Sequence, residues 1–241
     1  MVYVMTRKGK HHSVSEDAVL VDKEVLTETT AAYSVPDNGF ICVADGVGGN
    51  SGGAVASKFV LSELAKWDGS VVLKSYMQKL NDDLIRESKR DETNSKMATT
   101  LTGFYFEKGR ISLVHIGNSR AYIKQGRYLK QITQDHTTYN WLLSTNQYEA
   151  AESCNRNEIT NCFGGGNGAL LSKLYVDECQ PFTLAILTSD GIHEYVDLDT
   201  IEDIINGEES FEEKCNMIIQ KALDNGAEDD LSIVIINTCF M

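Results

Sequence analysis

The chain has 241 residues, with 22 basic and 35 acidic side chains and a formal net charge of −13. It therefore lacks the basic footprint of a nucleic-acid-binding protein, and no nucleic-acid partner is expected. No apolar run approaches the roughly 18–20 residues of a membrane span, and no secretory leader is apparent. We expect one globular domain over residues 1–241, in the cytoplasm and without membrane contact.

Apolar runs rich in β-branched and aromatic residues predict strands, and apolar residues at helical spacing predict helices. In chain order, the predicted elements are a strand at 40–45, helices at about 52–66 and 73–84, strands at 99–106, 111–116, 120–124 and 183–188, a helix at about 211–222 and a strand at 231–237. Several strands are separated by hairpin-length connections, so we expect an α+β fold with helices covering antiparallel sheets.

Four aspartates stand at the ends of predicted strands or apolar runs. These are Asp17 before AVLV, Asp45 at the end of FICVAD, Asp190 at the end of TLAILTSD and Asp229 shortly before LSIVIIN. Each one alone is more typical of a turn. Together in one cleft they would repel each other unless cations neutralised them, and oxygen-only ligands suit Mg²⁺ or Mn²⁺. Paired ions of this kind predict hydrolysis of a phosphate ester by water.

Seven segments resemble, in order, the motifs of the metal-dependent protein serine/threonine phosphatases of type 2C. They are SEDAVLV (15–21), FICVADGVGG (40–49), MATTLTG (97–103), HIGNSRAYI (115–123), ITQDHT (132–137), LTSDGI (187–192) and EDDLSIVII (228–236). The resemblance extends from about residue 6 to the end of the chain. It implies a four-layer α-β-β-α sandwich of two mainly antiparallel sheets flanked by helices, with a binuclear metal centre at one edge.

The resemblance also implies roles for individual residues. Asp45 would bridge two divalent cations, Mn²⁺ or Mg²⁺, and the carbonyl of Gly46 would bind one of them. Asp190 and Asp229 would complete the other site. The carboxylates of Glu16 and Asp17 would act largely through metal-bound water. The implied substrates are phosphoserine and phosphothreonine in proteins, which implies a serine/threonine kinase counterpart, and we expect a monomer.

Three positions depart from the family pattern. His12 stands where members commonly have an arginine that grips the substrate phosphate; His12 could contact the phosphate instead, or be a solvated surface residue. Asn118 replaces an aspartate that supports a third metal in many bacterial members, so we expect a weak or absent third site. Val47 replaces a histidine proposed as general acid in eukaryotic members, which suggests a bacterial affinity.

A variable segment at about 136–160 occupies the position of the family's flap. Its side chains Tyr139, Trp141 and Leu142 could help to select substrates, or they could form a helix face that packs on the body of the protein. The pattern alone does not decide between these two interpretations.

Two other classes of function compete with the phosphatase. A non-catalytic relative could keep its metals and bind phosphoproteins as a regulatory protein, since His12 and Asn118 depart from the pattern. The run GNSGG around Ser51 also fits the nucleophile elbow of serine hydrolases, with Asp190 and His193 as partners. The residues that separate Ser51 from its strand argue against that elbow.

Overall fold

The computed structural model describes residues 1–47, 52–90 and 97–239. The strands in this part of the chain are β1 (Val2–Arg7), β2 (Asp17–Asp22), β3 (Glu24–Leu26), β4 (Thr30–Tyr33), β5 (Asn38–Val47), β6 (Ala98–Thr99), β7 (Leu101–Glu107), β8 (Arg110–Ile116), β9 (Arg120–Gln125), β10 (Tyr128–Gln131), β11 (Phe163–Gly164), β12 (Tyr175–Cys179), β13 (Leu184–Thr188) and β14 (Leu231–Asn237). The helices are α1 (Gly52–Leu64), α2 (Leu73–Ser88), α3 (Thr138–Ser144), α4 (Tyr148–Ser153), α5 (Asp190–His193), α6 (Leu198–Asn206) and α7 (Phe211–Asp224).

The strands form two antiparallel sheets. The first sheet has the order β10-β9-β13-β14-β1-β4, and the second has the order β11-β6-β5-β7-β8-β12, with β2 and β3 attached beside β5. The register of β2 and β5 places Asp17 directly opposite Asp45. Two of the predicted site residues are therefore neighbours across one strand pair.

Alternate residues of the buried strands face different layers. In β5, Ile41 and Val43 enter the core between the two sheets, whereas Cys42 and Ala44 pack with α1 and α2. Strand β14 alternates in the same way between the inter-sheet core and the core beneath α6 and α7. Burial on both faces explains why these strands are continuous apolar runs. The predicted α+β fold with four layers, α-β-β-α, is confirmed.

The predicted strand at 99–106 is divided into β6 and β7 at Thr100. Thr100 itself belongs to neither strand, but its backbone N–H donates to the carbonyl of Asp45 near the end of β5 (2.8 Å). The interruption at Thr100 therefore still bonds to β5. The elements that the sequence did not predict are mostly short or lie at sheet edges: strands β1, β2, β3, β4, β10, β11 and β12 and helices α4, α5 and α6.

Helix α6 covers the outer edge of the first sheet at β10. The N–H of Leu129 donates to the carboxylate of Glu202 (2.7 Å), and the side-chain amide of Asn206 donates to the carbonyl of Arg127 (2.7 Å). In the described ranges, no helix is long and apolar enough to cross a membrane.

Candidate active site

A cavity of about 590 Å³ lies where β5 ends, α5 begins and the chain enters β14. Its lining consists of His12, Glu16, Asp45, Gly46, Val47, Ala98, Asn157, Glu158, Ile159, Cys162, Asp190, Glu194 and Asp229. We call this cavity the cleft. Among the predicted site residues, only Asp17 and Asn118 lie outside its lining. The structure therefore brings the distant sequence motifs together.

The backbone of Asp45 is fixed by hydrogen bonds to the side chains of two threonines, Thr99 and Thr100. Its N–H donates to the hydroxyl of Thr100 (2.9 Å), and its carbonyl accepts from the hydroxyl of Thr99 (3.0 Å). These bonds give the MATTLTG segment a structural role: it holds the end of β5 in place. The carboxyl group of Asp45 consequently projects from a rigid support.

Gly46 lies where the end of β5 meets the first turn of α1. A Cβ atom on Gly46 would lie 2.2 Å from the carbonyl oxygen of Gly53, so a larger residue would displace the helix. The N–H of Gly46 donates to the carbonyl of Glu16 (3.1 Å), which ties the start of β2 to the same point. Glycine at position 46 is therefore required by this close approach.

Asp190 is the first residue of α5, and Asn118 supports it from the turn between β8 and β9. The side-chain amide nitrogen of Asn118 donates to Oδ2 of Asp190 (2.8 Å). The amide oxygen Oδ1 of Asn118 is buried and has no hydrogen-bond partner within the described ranges. Asn118 thus presents a donor to Asp190 in this structure, rather than an additional charged ligand.

Asp17 is buried behind the cleft wall. Its Oδ2 accepts a hydrogen bond from the hydroxyl of Ser189 (2.7 Å), the residue that precedes Asp190. Burial, together with the charges of Asp230 and Asp190, raises the pKa of Asp17 well above its usual range. Asp17 therefore links β2 to the segment that carries Asp190.

The carboxyl groups of the cleft repel each other when ionised, and this repulsion disfavours the ionised form of each. Burial, followed by the charge of Asp190, raises the pKa of Asp45 well above its usual range, and burial also raises the pKa of Asp229. Within the described lining, His12 is the sole basic side chain facing these acids. An oxygen-rich, anionic donor set of this kind fits hard divalent cations such as Mg²⁺ or Mn²⁺.

His12 faces the cleft and bonds to an aspartate that had not been predicted as a site residue. Its Nδ1 lies 3.0 Å from Oδ2 of Asp230 and 3.9 Å from Oδ1 of Asp229. Burial alone would lower the pKa of His12, but the hydrogen bond to Asp230 and the surrounding carboxylates outweigh burial and raise it. His12, Asp229 and Asp230 form one compact group of polar side chains.

The cleft also contains acids and an amide that the sequence reasoning missed. Glu194 accepts a hydrogen bond from the side chain of Asn157 (2.8 Å), and Glu158 lies beside them. Burial and the charge of Asp190 raise the pKa of Glu194 to about 7. Glu194 follows Asp190 by one helical turn, and this spacing could have revealed it.

The serine hydrolase alternative lacks its proposed charge pair. Nδ1 of His193 bonds to the hydroxyl of Thr188 (2.8 Å) rather than to Asp190. Ser51, the nucleophile of that alternative, lies outside the described residues. The pair of Asp190 and His193 therefore does not form the acid and base of a triad here.

The variable segment at 136–160 forms the two short helices α3 and α4. Leu142 is buried, whereas the indole of Trp141 is 54% exposed. The ring of Tyr139 lies 4.7 Å below the guanidinium of Arg156. The interpretation as a packed helix face therefore holds for Leu142 but not for Trp141.

Solved structures share this architecture. The serine/threonine phosphatase Stp1 from Staphylococcus aureus matches with a TM-score of 0.79 and 25% identity over 98% of this chain and 94% of that chain. The phosphatase PstP/Ppp from Mycobacterium tuberculosis matches with the same TM-score and identity over 98% of this chain and 97% of that chain. The fold is thus that of bacterial serine/threonine phosphatases.

Sequence comparison gives the family. The family model described as protein phosphatase 2C matches residues 27–232, and the chain belongs to this family. The serine/threonine phosphatase Stp of Listeria welshimeri is 25% identical over 96% of this chain and 92% of its own length. The matched range contains Asp45, Asp190 and Asp229, whereas His12 and Glu16 precede it. The family prediction made from the seven motifs is confirmed.

Proposed function

We propose that the protein hydrolyses phosphoserine and phosphothreonine in other proteins, with water as the nucleophile and two divalent cations, Mg²⁺ or Mn²⁺, as cofactors. When bound, such cations supply Lewis acidity, which activates water and offsets the charge of the phosphoryl group. The observation that carries this proposal is the convergence of Asp45, Asp190 and Asp229 on one cleft in a chain of this family.

Some residues of the cleft would bind the cations directly, and others would support those ligands. Asp45, the carbonyl of Gly46, Asp190 and Asp229 would hold the cations, because they supply oxygen donors on the cleft wall. Glu16 also faces the cleft, and the buried Asp17 would act on them indirectly through Ser189.

His12 is the group that would contact the substrate phosphate. It is the basic side chain of the described lining, and its Nδ1 is already bonded to Asp230, so the Nε2–H of the protonated ring would donate to the substrate. The cleft carries no histidine at position 47, where Val47 is 41% exposed. The leaving group would therefore take its proton from ordered water, and aryl phosphates, which need less protonation, should react readily.

The proposed reaction consumes the product of protein kinases. A serine/threonine kinase must therefore supply the substrate, and we propose such a kinase as the functional counterpart. The net charge of −13 repels nucleic acid, so we propose no nucleic-acid partner.

The proposal is tested by phosphate release from p-nitrophenyl phosphate and from a phosphothreonine peptide, with Mn²⁺ or Mg²⁺. We expect turnover that a chelator removes and added metal restores. Asp45→Asn and Asp190→Asn should each reduce turnover by more than about 100-fold, since even indirect support of a metal ligand is worth 10–100-fold. No turnover in the wild type, with metal still bound by calorimetry, would instead indicate a phosphoprotein-binding regulatory protein.

A further inference from the structure

The two ends of the first sheet differ in what covers them. At β10, side chains of α6 bond to the outer backbone groups of the strand and its turn. At the opposite end, β4 is the last strand, and no other strand pairs with its outer side among the residues that the structure describes. Thr30 and Ala32 of β4 are exposed. Strand β4 is therefore an open edge of the sheet.

The register of β1 and β4 shows which backbone groups face outward. The N–H of Thr6 donates to the carbonyl of Thr29 (2.8 Å), so these two residues form a hydrogen-bonded pair just before the antiparallel register of β4 begins. Hydrogen-bonded and non-hydrogen-bonded pairs alternate along an antiparallel ladder. The backbone N–H and C=O groups of Thr30 and Ala32 consequently point away from β1, toward the outer side of β4.

A groove of about 740 Å³ lies between the end of the sheet at β4 and the first turns of α7. Met5 and Thr30 stand opposite each other in the register, so their side chains share a face, and both line the groove. Met217 adds apolar surface from α7 and is 40% exposed. The groove has no lining residue in common with the cleft.

Carboxylates outnumber basic groups in this groove. Its charged lining residues are Arg7, Glu209, Glu212 and Glu213. Glu213 already accepts hydrogen bonds from Ser210 at the start of α7. Glu209 and Glu212 form no ion pair within the described part of the chain. Two carboxylates are thus free to pair with a visiting cation beside the open edge.

We propose that β4 and this groove form a docking site for an extended basic segment of a partner protein. The segment would add to the sheet as an antiparallel strand beside β4 and bond to the outer groups of Thr30 and Ala32. Residues directly opposite Thr30 and Ala32 would place their side chains on the same face, toward Glu209 and Glu212. Because strand side chains alternate, the segment would carry lysine or arginine at every second position.

The charge of the groove favours a basic partner over a second copy of this chain. Two copies that paired through β4 would bring their acidic grooves side by side on one face of the joined sheet, and each chain has a net charge of −13. The docking site does not depend on the proposed hydrolysis, since it lies apart from the cleft.

The first test uses a fluorescent, capped peptide, Lys-Val-Lys-Val-Lys-Val-Lys, and measures its anisotropy with the Mn²⁺-loaded full chain. Two further peptides carry backbone N-methyl groups, either on the lysines or on the valines. In the proposed pairing, lysine N–H groups face β4 and valine N–H groups face away. Lysine methylation should weaken binding at least about tenfold, because backbone hydrogen bonds are lost, and valine methylation should change it less than about twofold.

Lysine methylation that is no more harmful than valine methylation overturns the proposal. The two methylated peptides have nearly the same charge and composition, so the comparison separates backbone pairing from attraction to an acidic protein. This result needs no variant of the protein that fails to fold.

The second test locates the site with protein variants. Ala32→Pro removes an outward N–H and should weaken binding of the unmethylated peptide at least about tenfold. Glu209→Gln with Glu212→Gln should weaken it about tenfold through two lost charge pairs. The matched control is Glu149→Gln with Glu152→Gln on α4, which removes two exposed charges at the same spacing and should change binding less than about twofold.

Equal weakening by the two double variants overturns the proposal, because the peptide would then respond only to net charge. Sedimentation of the wild type tests the other occupant. We expect a monomer at micromolar concentration. A dimer that Ala32→Pro dissociates, in a protein that does not bind the peptide, shows that a second copy occupies β4 and contradicts the basic segment.

Discussion

The two sides of the cleft are built differently. On the sheet side, Asp45 and Asp190 project from a strand end and a helix start. The Asp45 N–H donates to Thr100 and the Asn118 amide donates to Asp190, and these partly buried bonds fix the two residues.

On the other side, His136 ties the start of the segment at 136–160 to Gly117, but the two short helices that follow have one buried side chain each, Leu142 and Ala151. Asn157 joins the far end of the segment to Glu194 by one hydrogen bond at the surface. The reactive groups are therefore rigidly placed, whereas α3 and α4 are lightly held.

The local stability of α3 can be tested by removing its buried side chain, Leu142. Leu142→Ala should cost about 2–3 kcal/mol of local stability, because Leu142 is the buried side chain of α3. Amide hydrogen exchange in residues 138–153 should then accelerate by at least about 30-fold, while exchange in β13 stays unchanged.

Trp141→Ala is the matched control for this experiment. The indole is mostly exposed, so its removal should change stability by no more than about 0.5 kcal/mol. If Leu142→Ala accelerates exchange in β13 as strongly as in α3, the two sides of the cleft unfold as one cooperative unit and do not differ in local stability.

The rigid side should carry a measurable pH dependence through His115 of β8. This residue is 3% exposed, its Nε2 donates to the carbonyl of Gln134 (2.9 Å), and burial lowers its pKa to about 4. The unfolded chain, with a histidine pKa near 6.5, binds a proton that the folded chain does not. His115 should therefore remove stability as pH falls below about 6.5, by about 2 kcal/mol at pH 5.

Urea unfolding of the wild type and His115→Gln at pH 7 and pH 5 measures this contribution. The wild type should lose about 2 kcal/mol more than the variant between these pH values. The neighbouring His136, whose ring is tilted by 34° with its centroid 4.8 Å away, is present in both proteins, so its own burial contributes to both losses. Equal losses in the two proteins would show that His115 titrates normally.

Substitutions of Asn118 measure how much its hydrogen bond to Asp190 contributes to metal binding. Asn118→Ala removes the hydrogen bond to Asp190, and metal affinity should fall by about tenfold in calorimetry, as for other residues that orient a ligand. The wild type should bind two cations. Asn118→Asp, which restores a carboxylate, should add a third and weaker site. Three sites in the wild type, or no gain in Asn118→Asp, contradicts this account.

The smallest expected effect concerns the bond between the two sides. Asn157→Ala removes the hydrogen bond to Glu194, which is worth about 0.5–1 kcal/mol at an exposed position. KM for a phosphothreonine peptide should rise about threefold, whereas KM for p-nitrophenyl phosphate, which lacks the peptide chain that would extend along the segment, should change less. An equal change for both substrates would place Asn157 in the chemistry itself.

The sequence predicted the rigid side better than the lightly held side, for a physical reason. Strands such as β5 and β14 are buried on both faces, so their apolar runs are unmistakable, and Asp45 and Asp190 are located by where those runs end. By contrast, β12 is an edge strand with no fully buried residue, and its two adjacent acidic residues interrupt any apolar run. Patterns of hydrophobicity report burial, and they are weak where burial is slight.

The missed site residues have a different cause. Asp230 directly follows Asp229, and in extended chain two successive side chains point in opposite directions. One of the pair reaches the cleft while the other is buried against Gly9 and Glu16. Sequence motifs identified the first of these roles, but the second depends on a loop more than 200 residues away, which local patterns do not reveal.

Helix α6 bonds to the outer edge of β10, and this affects how the sheet edge can meet extended segments of other proteins. An open strand edge would recruit such segments by backbone pairing, without regard to their side chains or phosphorylation. Here the Leu129 N–H and the Arg127 carbonyl are already bonded to Glu202 and Asn206. At these two positions, a visiting polypeptide finds no free backbone group to pair with.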